Sequence, residues 1–154
     1  MAGEVVKKEE SLNLKVTNKS HVQPEEKIGR KEYQLVTFDL PYLAFYYNQK
    51  LLFYKGEDFE GMVQKLKVAL GVVLKEFHQL AGKLGKDEEG VFRVEYDDDM
   101  PGVEVVEAVV VDDDEIGVDD LTVAEISNTN LKELIPYSGI LNLEGMHRPL
   151  LAVQ

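Results

Sequence analysis

The sequence contains no cysteine, which excludes disulfides, thiolate metal sites and a thiol nucleophile. Nor does it contain a run approaching the roughly 18 consecutive apolar residues that a membrane-spanning helix needs. Met1 to Glu10 mixes acidic, basic and small residues. It offers neither the apolar centre of a secretory leader nor the Arg-rich, acid-poor character of a transit peptide. The expectation is a cytoplasmic protein with no membrane span. Histidine is scarce: His21, His78 and His147 are the only ones, and none has a catalytic or metal-ligating partner at a fixed helical or loop spacing.

Basic charge is absent from one long stretch. Asp87 to Glu125 holds sixteen acids against the single Arg93, so this segment alone carries −15 of a chain whose net charge is −12. Met1 to Lys86 is mildly basic, with fourteen Lys and Arg against eleven acids, and Ile126 to Gln154 balances at zero. Acidic loops repel phosphate backbones, and no Lys/Arg cluster interleaved with aromatics offers another nucleic-acid surface. Nucleic acid is therefore excluded as a partner. The 154 residues, 44% hydrophobic, match one ordinary domain or part of a larger one.

Hydrophobic periodicity supplies the elements. Ser11 to Arg30, with Val16, Val22 and Ile28 among polar residues and Pro24 and Gly29 as punctuation, reads as a short strand and a loop. Leu35 to Phe38 is β-rich and ends before Pro41, which predicts a strand. The aromatic stretch Tyr42 to Tyr54 reads as two extended pieces around Asn48, Gln49 and Lys50. From Phe59 to Phe77 apolar residues recur at three- and four-residue steps, which predicts an amphipathic core helix with Asp58 as N-cap and Gly82 as a left-handed terminator. Val91 to Tyr96 alternates like a half-buried strand after an Asp-Glu-Glu-Gly turn, and Val103 to Val111 reads as another after the Asp97 to Gly102 turn. Thr122 and Glu125 have capping-box spacing, and Leu131 to Ile135 predicts a helical turn before Pro136. Pro149 to Val153 reads as a strand in progress at the chain's end, so the expectation is a truncated chain.

Most apparent chemistry dissolves on inspection. Counted from Asp97, a calcium loop would need an oxygen ligand at Pro101 and a bidentate Glu at Ala108, so Asp97 to Asp99 reads as a solvated turn. Gly82 to Lys86 lacks the first glycine and the Ser/Thr of a phosphate loop. The Asn18-Lys19-Ser20 sequon has no signal peptide to bring it to glycosylation. His78, near the end of the helix, and His147, in a turn, read as structural. The aromatics Tyr42, Phe45, Tyr46, Tyr47, Phe53 and Tyr54 could line a small-molecule pocket, although core packing is the more ordinary use of such residues.

Leu74 to Leu84 reads Leu-Lys-Glu-Phe-His-Gln-Leu-Ala-Gly-Lys-Leu, and it resembles the helix-to-turn signature of the plant BAHD acyltransferases, which typically ends Leu-Ala-Gly-Arg-Leu. Three more pieces agree in order: Val36 to Asp39 followed by Phe45 and Tyr46, Glu89 to Phe92 with its acidic turn, and Pro149 to Gln154. Gln34 to Gln49, Leu80 to Asp99 and Leu141 to Gln154 look most like a member connected with the plant cuticle.

That resemblance implies an α/β fold, a mixed sheet with helices, forming the partial amino-terminal domain of a chloramphenicol acetyltransferase-like, CoA-dependent acyltransferase. Residues 1–154 would be an incomplete first domain, with the second domain absent. In the family a channel runs between the domains, and the His of a His-x-x-x-Asp motif acts as general base on an acceptor hydroxyl, which attacks the thioester of acyl-CoA. The implied partners are acyl-CoA, as donor substrate and not a bound cofactor, and a hydroxylated acceptor, in a monomeric full-length enzyme. Cutin or cuticle lipid synthesis is the expected setting. The residues four places beyond His21, His78 and His147 are Glu25, Gly82 and Leu151, so the motif is not in this chain and no catalytic residue or metal ligand is assigned. The expected site residues are Leu43 and Phe45, on the family's acceptor side, although Leu43 stands where other members often carry a small polar residue. This chain alone is expected to be inactive and poorly soluble; the alternative is a truncated non-catalytic binding protein or a remnant without function.

Overall fold

A computed structural model describes residues 13–111 and 131–154. The architecture is mixed α/β, as the sequence implied. Two three-stranded sheets and one long helix account for its regular structure among the described residues. In the first sheet β1 (Leu14–Val22) pairs antiparallel with β5 (Val103–Val110), and β6 (Ala152–Val153) joins the other edge of β5 in parallel. The second sheet is antiparallel, with β4 (Phe92–Tyr96) between β2 (Lys31–Gln34) and β3 (Lys83–Lys86).

The valines at Val103, Val105 and Val106 are buried, as a β-branched run between two neighbouring strands should be. The β1–β5 ladder slips by one residue at Thr17, whose hydroxyl donates to the Glu107 carbonyl at 3.1 Å. The Val91 to Tyr96 reading holds: Asp87 Oδ1 accepts from the Glu89 and Val91 amides, Gly90 takes φ 82°, and the chain turns from β3 into β4.

The predicted helix is α1 (Phe59–Glu76), and Asp58 caps it by accepting from the Gly61 amide at 2.8 Å. Its other end departs from expectation. Gly82 is extended (φ −92°), and a short 3₁₀ turn, His78–Ala81, precedes it. A Cβ at Gly82 would collide with the Glu95 carbonyl, so glycine serves close approach to β4 here, not a left-handed turn. Leu74 is fully buried and packs with Ala81, Tyr96 and Val103 into the core, with Val22, Ile28, Leu70, Leu151 and Val153 around it. A half-buried ion pair, Lys67 Nζ to Glu107 Oε1 at 2.6 Å, ties the helix to β5. The rest of the apolar stripe does not enter this core: Phe59, Met62, Leu66, Val73 and Phe77 are exposed.

Two strand predictions fail. Leu35 to Phe38 is not a strand; the ladder lies just before it, at Lys31–Gln34, and closes with the Leu35 amide donating to the Phe92 carbonyl at 2.9 Å. β4 begins at Phe92, so residues beyond Leu35 have no partner to pair with. Asp39 instead folds the chain back, accepting from the Val36 amide at 2.9 Å. The next residues form a 3₁₀ helix, Leu40–Ala44, not an extended piece. β3 lies within the stretch dismissed as a phosphate loop. The predicted turn before Pro136 is the 3₁₀ helix Lys132–Leu134; the Thr122–Glu125 capping box lies outside the described residues.

Candidate functional site

Leu43 and Phe45 sit on and just after the 3₁₀ helix Leu40–Ala44. Pro41 suits its first turn, where a missing amide hydrogen costs nothing. Leu43 is half-buried, while Phe45 is 57% exposed and stands edge-on to Tyr42, ring centres 5.6 Å apart. Tyr42, Tyr46 and Tyr54 are exposed as well. Core packing is therefore not what these four aromatics do; Tyr42, Phe45 and Tyr46 form an open wall, whereas Tyr47 and Phe53 are half-buried.

Polar contacts, not apolar burial, hold that wall in place. The Asn142 amide donates to the Phe45 carbonyl at 2.8 Å, and its side-chain amide to the Tyr42 carbonyl at 2.9 Å. Tyr46 bridges to Leu141, and the Tyr47 amide donates to the Ile140 carbonyl at 2.9 Å. The Tyr47 hydroxyl then donates to the Pro149 carbonyl at 3.0 Å, three residues before β6. The aromatic segment is thus fixed against the stretch that leads into the last strand. Sequence reasoning placed Tyr47 among the aromatics but missed its role as a tether, and it missed Asn142 altogether, since the 100-residue separation from Tyr42 leaves no local signal.

Behind the wall the Tyr47 and Tyr137 rings meet edge to face at 5.4 Å, and the Arg148 guanidinium lies 5.2 Å from the Tyr137 ring centre. Burial, helped by Tyr137, pushes the Tyr47 phenol up to about 12. Tyr137 is raised too, by burial and by nearby Glu104, and it holds φ 58°, the left-handed region that a bulky side chain rarely occupies.

Each histidine has surroundings of its own. His78 Nε2 lies 2.7 Å from the Tyr33 hydroxyl, and its ring packs against Tyr33 and Tyr96, which joins the helix end to the second sheet. His21 pairs opposite Glu104 in the β1–β5 ladder, and His147 ends the 3₁₀ helix Asn142–Met146. In the acidic turn Asp98 accepts from the Ile28 and Gly29 amides, each at 2.9 Å, and from the Tyr96 hydroxyl at 3.2 Å. Those bonds, the Ile28 amide foremost, hold its carboxyl below the usual value. It is a latch on the loop between β1 and β2. Among the described residues no cluster of three or more His, Asp or Glu could hold a metal ion, and no helix is long and apolar enough to cross a membrane.

Comparison with known proteins extends this picture. A family model described as the Transferase family matches residues 12–154. The chain is 52% identical over 153 residues to BAHD acyltransferase DCR of Arabidopsis thaliana, an alignment that takes in 93% of this chain and 31% of that protein.

Proposed function

From a chain that belongs to the Transferase family, with its CoA-dependent acyltransferase fold, we propose that these residues form the amino-terminal part of a BAHD O-acyltransferase. The whole enzyme transfers an acyl group from acyl-CoA to a hydroxyl acceptor. The chain spans less than a third of the relative it matches, so residues 1–154 are read as an incomplete first domain whose channel partner is a second domain. The observation that carries the reading is the family match over residues 12–154. The open aromatic wall beside β6 supports it.

In the proposed reaction a base removes the acceptor's proton, the oxygen attacks the thioester carbonyl, and CoA leaves as the thiol. This chain supplies none of the His-x-x-x-Asp pair. General-base catalysis is worth roughly 100- to 10,000-fold, and positioning of the two substrates between domains adds to it. The chain alone is therefore proposed to be silent. Its contribution is to the acceptor side: Leu43 and Phe45 present apolar surface to the acceptor, and Asn142 and Tyr47 hold that surface in place. A cytoplasmic enzyme acting in cutin or cuticle lipid synthesis is part of the proposal, resting on the likeness across Gln34 to Gln49, Leu80 to Asp99 and Leu141 to Gln154.

The test joins residues 1–154 to the remaining residues of the Arabidopsis relative and measures CoA thiol release with hydroxylated acceptors. The chimera turns over and the isolated chain does not. Phe45→Ala in the chimera raises KM for the acceptor about tenfold, the loss of one aromatic contact, and leaves KM for acyl-CoA unchanged. A chimera that folds but shows no acceptor-dependent release would favour a non-catalytic protein.

A further inference from the structure

We propose that the cleft between the start of β3, the turn before β5 and the segment leading into β6 binds a compact phosphate-type oxyanion. The cleft, of about 300 Å³, is walled by Met100 and Met146 and carries Lys83, His147 and Arg148; no carboxylate lines it among the described residues. In a chain of net charge −12, an acid-free concavity with two permanent cations and an imidazole is the reverse of what composition would produce.

Neither cation is neutralised from within. Lys83 and Arg148 make no ion pair among the described residues, whereas Lys67, Lys75, Arg30 and Arg93 each have a carboxylate within 2.8 Å. Arg148 is half-buried, its guanidinium faces the Tyr137 ring, and its Nε is buried with no hydrogen-bond partner among the described residues. A buried donor on a charged group without an acceptor is unusual. The acids around it are engaged elsewhere: Asp98, in the turn before β5, is held by Ile28, Gly29 and Tyr96, and Glu104 bears on Tyr137. An oxyanion in the cleft would give both cations a counter-ion while accepting from the planar guanidinium fork. The inference does not depend on the acyltransferase reading.

The experiment titrates the ¹⁵N-labelled 154-residue chain with inorganic phosphate at pH 7 and constant ionic strength, following backbone amides. Saturable shifts at Gly82, Gly102 and His147 are expected. Lys83 is exposed, so Lys83→Gln leaves packing intact and weakens binding about tenfold, the loss of one charge-assisted bond. Lys86→Gln, at the far end of the same strand, leaves it unchanged. Methyl phosphate separates the two sources of this chemistry: equal affinity assigns the cleft to a phosphomonoester terminus, and much weaker affinity to the free ion. Non-saturating shifts, or equal affinity in Lys83→Gln, would overturn the proposal. So would acetate binding as tightly as phosphate, which would reassign the cleft to a carboxylate side chain.

Discussion

Asp98 shows how a single carboxylate can organise a loop. Its lowered pKa means that its contribution is fully present above the ordinary value of 3.8 and is lost as pH falls below that toward the depressed folded value. Asp98→Asn should lower the thermal midpoint at pH 7, and the gap between variant and parent should close as unfolding is repeated from pH 4 downward. Tyr47 works in the opposite direction. Its phenol is raised from 10 to about 12, so its contribution is intact below pH 10 and disappears as pH climbs through 12. Tyr47→Phe removes the bond to the Pro149 carbonyl and should cost about 1 kcal/mol, read by urea unfolding at pH 8. Leu74→Ala empties a fully buried position of the core and should cost about 2–5 kcal/mol in the same measurement.

Among the elements, α1 carries the sharpest conflict between local propensity and local geometry. Gly61 lies in its first turn, where alanine is worth about 1 kcal/mol more in a helix. A Cβ there would strike the Asp58 carboxylate and displace the cap, a loss of roughly 0.5–2 kcal/mol. Gly61→Ala alone should therefore change stability by no more than about 0.5 kcal/mol upward or about 1 kcal/mol downward, the difference of those terms. In an Asp58→Ala background the same substitution should recover close to the full propensity gain, and a double-mutant cycle in urea separates the two. The N-cap was legible in the sequence because a cap is a contact over three residues. The failure at Leu35 to Phe38 has the converse cause: strand propensity is realised only opposite a partner, and the partner's end at Phe92 is fixed by a turn some fifty residues away.

For the whole molecule, the outstanding property is apolar surface without cover. Phe38 is 86% exposed, and Val36, Tyr42, Phe45, Tyr46, Leu52 and Tyr54 lie open in the same stretch of chain, with the α1 residues Phe59, Leu66 and Val73 and the following Phe77 besides. Exposed apolar area on this scale promotes association. The chain should self-associate with rising concentration in analytical ultracentrifugation, and Phe38→Ser should weaken that association without lowering the thermal midpoint. An unchanged association constant in Phe38→Ser would remove this stretch from the contact.

Periodicity and short-range chemistry were enough to establish α1 with its Asp58 cap and the β4 and β5 strands, and the resemblance carried by the ordered signatures implied the α/β class and the family. Each is encoded within a few residues or in a local motif. Only the tertiary structure decided that Gly82 serves a close approach to β4, that the aromatic residues form an open wall, and that Asn142 and Tyr47 fix this wall against the segment before β6. It alone brought Lys83 beside Arg148 around one cleft. These are relations between residues far apart in sequence, and no local pattern specifies which distant groups the sheets and turns will bring together.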